Sequence, residues 1–250
     1  SMTPMATIAA ARLAGRRTPG ELLLLDRPVV KAGALAMGVG ELLGDKMAAR
    51  LAGLIDPKRA LDIRTALPGS DTVYLSVVDK DRMAVSFINS IYWSFGSGIV
   101  TEKTGIALQN RGAGFVTTPG HPNCIGPGKR PLHTIIPAMT RFDGKIDMSF
   151  GVMGGNYQPM GHVSVLVNRL VYGMDPQEAL DWPRCHPEEG AVLVEGGVNV
   201  LVQNDLARLG HRVVPATEPL GGGQIIQINR LTGVLSGGSD PRKDGFALGI

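Results

Sequence analysis

Cysteine is scarce. The 250 residues hold two, Cys124 and Cys185, and they form no CxxC pair. Two isolated thiols make neither a disulfide framework nor a zinc site of their own. They read as small buried groups in a reducing compartment such as the cytoplasm, with a periplasmic or secreted location left open. No apolar run reaches the roughly 18 residues a membrane-spanning helix needs, so no membrane partner is expected. A basic excess is missing from most of the chain. Residues 1–71 carry ten Lys/Arg against seven Asp/Glu, whereas residues 72–250 carry fifteen of each. Binding to a phosphate backbone needs a surplus of cations, so no nucleic-acid partner is expected. The five histidines (His121, His133, His162, His186, His211) show no HExxH or other metal spacing, so neither a metal nor a cofactor is expected. A GxSxG elbow is also missing, and Phe95-Gly96-Ser97-Gly98 has the wrong spacing for one. Gly221-Gly222-Gly223 precedes a strand pattern rather than a helix. It therefore reads as a flexible loop and not as a phosphate cradle. No internal repeat is visible.

What is present describes a globular protein with a sizeable core. The apolar fraction is 44% and the charged fraction 19%. Thirty-four glycines, roughly twice ordinary usage, announce many tight turns. Ser1-Met2 reads as a cleavage scar before a start residue. Arg12, Arg16 and Arg17 before Leu22–Leu25 make too short an apolar core for a signal peptide and read as an ordinary helix. Leu42, Leu43, Met47, Leu51 and Leu54 have helical spacing over 41–55, and Pro57-Lys58-Arg59-Ala60 is expected to start a short helix. From Thr72 the pattern changes. Residues 72–78 and 83–90 predict a hairpin, as do Thr134–Arg141 and Lys145–Met153 around Phe142-Asp143-Gly144. Val163, Leu166, Val167, Leu170 and Val171 predict one helix face ended by Gly173. Asp175-Pro176-Gln177-Glu178 predicts a capped helix start, and 199–209 a helix ended by Gly210. Gln224–Asn229 and Val234–Ser236 close with a third hairpin. This order predicts an α+β sandwich rather than alternating βαβ units.

Two places invite chemistry. Met153-Gly154-Gly155 ends an apolar strand shortly before a helix, where side-chain-free amides can donate to a developing oxyanion; a plain tight turn is the other reading. Thr72 opens a strand after a Pro-Gly-Ser-Asp loop. A threonine hydroxyl is a poor nucleophile without a base beside it. A peptide cut before the threonine supplies one, because the freed α-amino group, with a pKa of about 8, lies within reach of the hydroxyl.

The segments Thr72–Asp79, Phe95–Gly98, Pro127-Gly128-Lys129-Arg130-Pro131, Gly154-Gly155 and Ser239-Asp240-Pro241-Arg242 occur in an order that resembles the γ-glutamyltransferase (γ-glutamyltranspeptidase) family. Phe150–Gly155 and Gln158–His162 resemble its acylase-like branch. The resemblance makes 72–250 a small-subunit-like catalytic portion and 1–71 a helical segment like the end of the large subunit. It implies an N-terminal-nucleophile (Ntn) hydrolase fold, a four-layer αββα sandwich, with some layers absent from a chain this short. It further implies self-processing between Asp71 and Thr72, with Thr72 as nucleophile, Ser90 orienting it, and Gly154 and Gly155 forming the oxyanion hole. The substrate is then a small-molecule γ-glutamyl or related acyl amide, transferred or hydrolysed through an acyl-threonine.

Departures from the family pattern bear on the substrate. Tyr92 stands where the family has an asparagine. Gly114 replaces the acid that grips the substrate's ammonium, and His133-Thr134 replaces a Ser-Ser pair. Glycine cannot pair with an ammonium group, whereas His133 and Thr134 can donate hydrogen bonds. Arg111, beside the altered segment, is either a carboxylate ligand or a surface cation. Family precursors carry several hundred residues before the nucleophile and this chain has 71. Another chain or a homo-oligomer supplies the remainder, or the chain is a fragment or a shortened relative. The second reading of function is therefore an inactive relative that serves as an assembly module.

Overall fold

Tight turns and short apolar strands dominate the computed structural model, which describes residues 21–24, 45, 46, 49, 58, 59 and 71–249. The helices expected over 41–55 and starting at Pro57 lie outside the described residues, apart from helical Asp45, Lys46 and Ala49 and the turn at Lys58-Arg59. The Ser1-Met2 and Arg12–Arg17 readings lie outside them altogether. At Leu22–Leu25 the expected helix is corrected. Strand β1 (Glu21–Leu24) pairs antiparallel with β4 (Ala138–Phe142), so sheet pairing overrides leucine's helix propensity.

Five strands form the main sheet in the order β1-β4-β5-β9-β10, with β5 at Lys145–Met153, β9 at Gly222–Ile228 and β10 at Leu235–Ser239. Every neighbouring pair is antiparallel. Asp143 and Gly144 join β4 to β5 with φ of 47° and 73°, the two left-handed residues of a tight hairpin turn. β4 begins at Ala138 rather than Thr134, because Pro137 has no N–H to give the ladder. The glycine run Gly221–Gly223 is buried, not a flexible loop: it leads into β9, where a Cβ on Gly223 would lie 2.7 Å from Leu180.

Strand alternation sorts β5 into two faces. Met148, Phe150 and Val152 join Val165, Leu166, Leu180 and Ile225 in the main core. The helical residues of that core come from α1 (Gln158–Leu170) and α2 (Pro176–Asp181). α2 starts as expected, with a capping box between Asp175 and Glu178. On α1 the buried stripe runs through Gly161, His162, Val165 and Leu166, while Leu170 and Val171 are exposed. Close approach at Gly161 sets this face, since a Cβ there would lie 2.5 Å from Val152.

The other face of β5 carries the hairpin of β2 (Asp71–Val78) and β3 (Ala84–Tyr92). Ser76 Oγ meets Ser149 Oγ at 2.6 Å, and Tyr74, Ile88 and Met153 form a second small core. A Cβ on Gly151 would lie 2.4 Å from the Tyr74 ring. Gly151→Ala is therefore expected to destabilise the protein by about 1–3 kcal/mol, measured by urea unfolding; an unchanged midpoint contradicts this packing.

The hairpin inverts the usual reading of alternation. Thr72, Tyr74 and Ser76 turn toward the main sheet, while Val73, Leu75, Val77, Val85 and Phe87 are exposed, Val73 by 53% and Phe87 by 48%. Helices, sheet and hairpin thus make three layers, and among the described residues nothing covers the aliphatic outer face. A third sheet was not expected from sequence: β6 (Cys185–Glu188) and β7 (Ala191–Val194) are antiparallel, and β7 and β8 (Val213–Pro215) are parallel. These strands have three or four residues, and Pro187 and Pro215 interrupt their β pattern. Helix α3 (Val200–Arg208) follows Asn199 as its cap and ends before Gly210.

Candidate active site

Antiparallel pairing brings Thr72 of β2 opposite Ser90 of β3. Thr72 is the partner of Ser90 in the register, and Thr72 Oγ1 donates to Ser90 Oγ at 3.0 Å. Asp71 pairs with Tyr92, so Ile91 is an extra residue and the bulge falls opposite the Asp71–Thr72 bond. Tyr92 has φ 81°, a left-handed conformation that strains a side chain with a Cβ. Its backbone N–H turns back onto Ser90 Oγ at 3.0 Å.

A third donor reaches the same serine. Arg111 opens a single 3₁₀ turn, Arg111–Gly114, and is 4% exposed. Its Nη2 donates to Ser90 Oγ and its Nη1 to Thr134 Oγ1, both at 3.1 Å. The guanidinium carbon stands 4.6 Å from the centre of the Tyr92 ring. Burial lowers the Arg111 pKa from its ordinary value, against a smaller opposing influence of Tyr92. The surface-cation reading of Arg111 is thereby corrected: Ser90, Tyr92 and Thr134 enclose it. Two asparagines absent from the sequence expectations brace the arrangement. Asn110 Oδ1 accepts from Trp93 N, and Asn123 bonds both Gly114 O and Leu132 N. Both lie in loops without periodicity, so only their turn-forming residue type hinted at them.

His133 is half-buried, and its Nδ1 has no hydrogen-bond partner. Desolvation, then the nearby Arg111 and Arg130, lower its pKa to about 4. Its NMR signals are expected to remain those of a neutral ring from pH 8 down to about pH 5. Because the folded value lies below the unfolded 6.5, its contribution to stability is whole above that pH and is lost as pH falls toward 4.

Gly154 and Gly155 follow β5 with φ of 126° and 57°. A Cβ on Gly154 would lie 2.6 Å from Gly221 Cα, so only glycine fits there. Ser76 lies on Ser149 and Tyr74 on Gly151. The same progression carries Thr72 toward Met153 and the glycine pair. Thr72, Ser90, Tyr92, Arg111 and Thr134 thus touch directly, the glycines sit at the same end of β5, and His133 flanks Arg111 electrostatically. Among the described residues no cluster of metal-ligating side chains occurs, and no helix is long and apolar enough to cross a membrane.

Residues 24–250 match the family model described as gamma-glutamyltranspeptidase. The chain belongs to the gamma-glutamyltranspeptidase family. It is 42% identical over 191 residues to the glutathione hydrolase-like YwrD proenzyme of Bacillus subtilis, covering 73% of the chain and 36% of that protein. Over 236 residues it is 35% identical to the oxamate amidohydrolase proenzyme of Klebsiella pneumoniae, covering 90% and 44%. Cephalosporin acylase from Bacillus halodurans superposes with a TM-score of 0.80 at 35% identity, over 98% of this chain and 48% of that one. The chain therefore spans less than half the length of these relatives. Its α+β architecture is part of the Ntn-hydrolase sandwich of the gamma-glutamyltranspeptidase family, and its resemblance to the acylase-like branch holds.

Proposed function

We propose that the chain carries the reaction centre of a threonine N-terminal-nucleophile enzyme that hydrolyses or transfers a γ-glutamyl or related acyl amide. Cleavage of the Asp71–Thr72 bond frees the Thr72 amine as the base. Thr72 Oγ bonds to the substrate carbonyl carbon as its proton passes to that amine. Ser90 positions the hydroxyl, and the N–H groups of Gly154 and Gly155 take the charge that develops on oxygen. The carbon–nitrogen bond then breaks, and the proton leaves with the amine product. Water attacks the acyl-threonine, returning the acid and Thr72; an amine acceptor in its place gives transfer.

The 3.0 Å bond from Thr72 to Ser90, at the start of a strand that begins beside a bulge, is the observation that carries this reading. The word proenzyme in the names of the Bacillus subtilis and Klebsiella pneumoniae relatives agrees with it. The exposed aliphatic face of the β2–β3 hairpin fits a further portion of polypeptide laid over it, as a large-subunit portion would be. The competing reading, an inactive assembly module, draws on that same face and on the loss of an acid at Gly114.

Intact mass of the active protein tests the cut. Two pieces are expected, the longer, residues 72–250, beginning at Thr72. An active preparation in which residues 71 and 72 remain joined overturns the mechanism.

A further inference from the structure

The segment Gln158–His162 has no part in the proposed reaction, yet Gln158, Pro159, Gly161 and His162 are all buried. His162 closes the segment. Its Nδ1 lies 2.7 Å from Gln158 O and its Nε2 2.7 Å from Ile136 O. Both carbonyls only accept, so the ring must supply the hydrogen. Burial lowers the His162 pKa from its ordinary value by more than the two carbonyls raise it, which leaves a neutral ring one hydrogen for two acceptors. The acceptors are unequal. Gln158 O already takes the backbone N–H of residue 162 in the helical pattern. Ile136 is buried in a stretch, 131–137, that belongs to no described helix or strand, and its carbonyl is paired by His162. A buried carbonyl with no partner costs more than one with a second position unfilled. The hydrogen therefore belongs on Nε2.

This bond crosses between two parts of the candidate site. On one side, α1 follows directly on the 3₁₀ turn Gly155–Tyr157, which Tyr157 N closes onto Gly154 O at 3.0 Å. Gln158 is thus tied to the glycine pair. On the other side, Ile136 follows Thr134 by two residues. Thr134 Oγ1 accepts from Arg111, whose other terminal nitrogen donates to Ser90. Among the described residues three side chains hold 131–137 by hydrogen bonds: Asn123 at Leu132 N, Arg111 at Thr134 and His162 at Ile136. Of these three, His162 alone belongs to the helix behind the glycines. The Phe150 ring, 5.4 Å away and tilted by 50°, packs beside the imidazole from β5.

We propose that His162 is a positioning residue of the reaction centre, whose Nε2–H, given to Ile136 O, holds Thr134, Arg111 and Ser90 in register with Gly154 and Gly155. The inference rests on Thr72 marking that centre, but its first two tests need no turnover. Ring-nitrogen NMR of the full protein near neutral pH is expected to place a hydrogen on Nε2 of His162. A bare Nε2 overturns the proposal without any variant. His162→Gln and His162→Asn then separate the two bonds, because a glutamine amide reaches the place of Nε2 and an asparagine amide that of Nδ1. Hydrogen exchange at the amides of Leu132–Ile136 is expected to stay as in the parent in His162→Gln and to quicken about tenfold or more in His162→Asn. Turnover should follow the same order, close to the parent in His162→Gln and lower by about tenfold or more in His162→Asn. A role confined to packing or to starting the helix would treat the two amides alike. Equal exchange or equal turnover in the two variants therefore overturns the proposal. Thr72→Ala separates it from the reading of Thr72. The expected difference between the two His162 variants, with Thr72→Ala fully active, upholds His162 and overturns the nucleophile. Turnover lost in Thr72→Ala but alike in the two His162 variants does the reverse.

Discussion

Thr72→Ala is expected to yield one uncut chain and to lower amide turnover on the order of a thousandfold or more, while the protein still folds. The asymmetry follows from what the side chain does in each setting. In the fold, its hydroxyl contributes a partly buried hydrogen bond to Ser90, a loss of about 1 kcal/mol. In the proposed reaction the same oxygen forms the covalent bond to the acyl group. Removing a nucleophile takes away the whole path through the acyl-enzyme, not a fraction of its rate. Thr72→Ser should keep both cleavage and turnover at a reduced level, because it retains the hydroxyl and, once cut, the amine. Intact mass reads the cut, and a chromogenic amide reads turnover. Full turnover in Thr72→Ala would place the chemistry elsewhere, whatever its cleavage state.

The hairpin that carries Thr72 was legible because β-branched and aromatic residues alternate on either side of a charged turn. Its pairing alone brings residue 72 to residue 90. The β4–β5 turn and the α2 cap were legible for similar reasons: Asp143-Gly144 and Asp175–Glu178 act locally, within a few residues of themselves. Long-range placement was not. Nothing periodic marks Arg111, which opens a single 3₁₀ turn and meets Thr134 where Asn123 ties Gly114 to Leu132. The strand at Glu21–Leu24 was misread because four leucines suit a helix unless a sheet edge is available. Alternation also misleads about which face of β2 is inward. Hydroxyls pack on β5 through Ser149, and the aliphatic face is left for another layer. The roles expected for Thr72, Ser90, Gly154 and Gly155 came from resemblance rather than from periodicity.

Asp240→Ala should be among the most destabilising single substitutions, about 3–5 kcal/mol, because it strands a buried cation. Asp240 is fully enclosed. It accepts from Arg184, from Gly223 N at 2.9 Å, and from the backbone and side chain of Arg242 at 3.0 and 3.1 Å. Arg242 in turn grips Glu195 with both ends of its fork, at 2.7 and 2.6 Å. Burial works to raise the Glu195 pKa, but the Arg242 contacts and backbone donors from Arg184 and Leu220 bring it below its ordinary value. The exposed pair Arg208–Asp205 is the matched control, since solvent screens it and Asp205→Ala should change stability by about 0–1 kcal/mol. Urea unfolding of the two variants reads the difference; equal midpoints would show that the buried carboxylate is not what neutralises Arg184. The consequence reaches the site through the backbone. Gly223 N is bound to Asp240, Gly223 follows Gly221 by two residues, and Gly221 lies against Gly154 too closely for a Cβ. Loss of Asp240 therefore loosens the strand that holds the glycine pair at the end of β5. At temperatures where Asp240→Ala remains folded, the proposed oxyanion role of Gly154 and Gly155 predicts that turnover falls through kcat more than through KM.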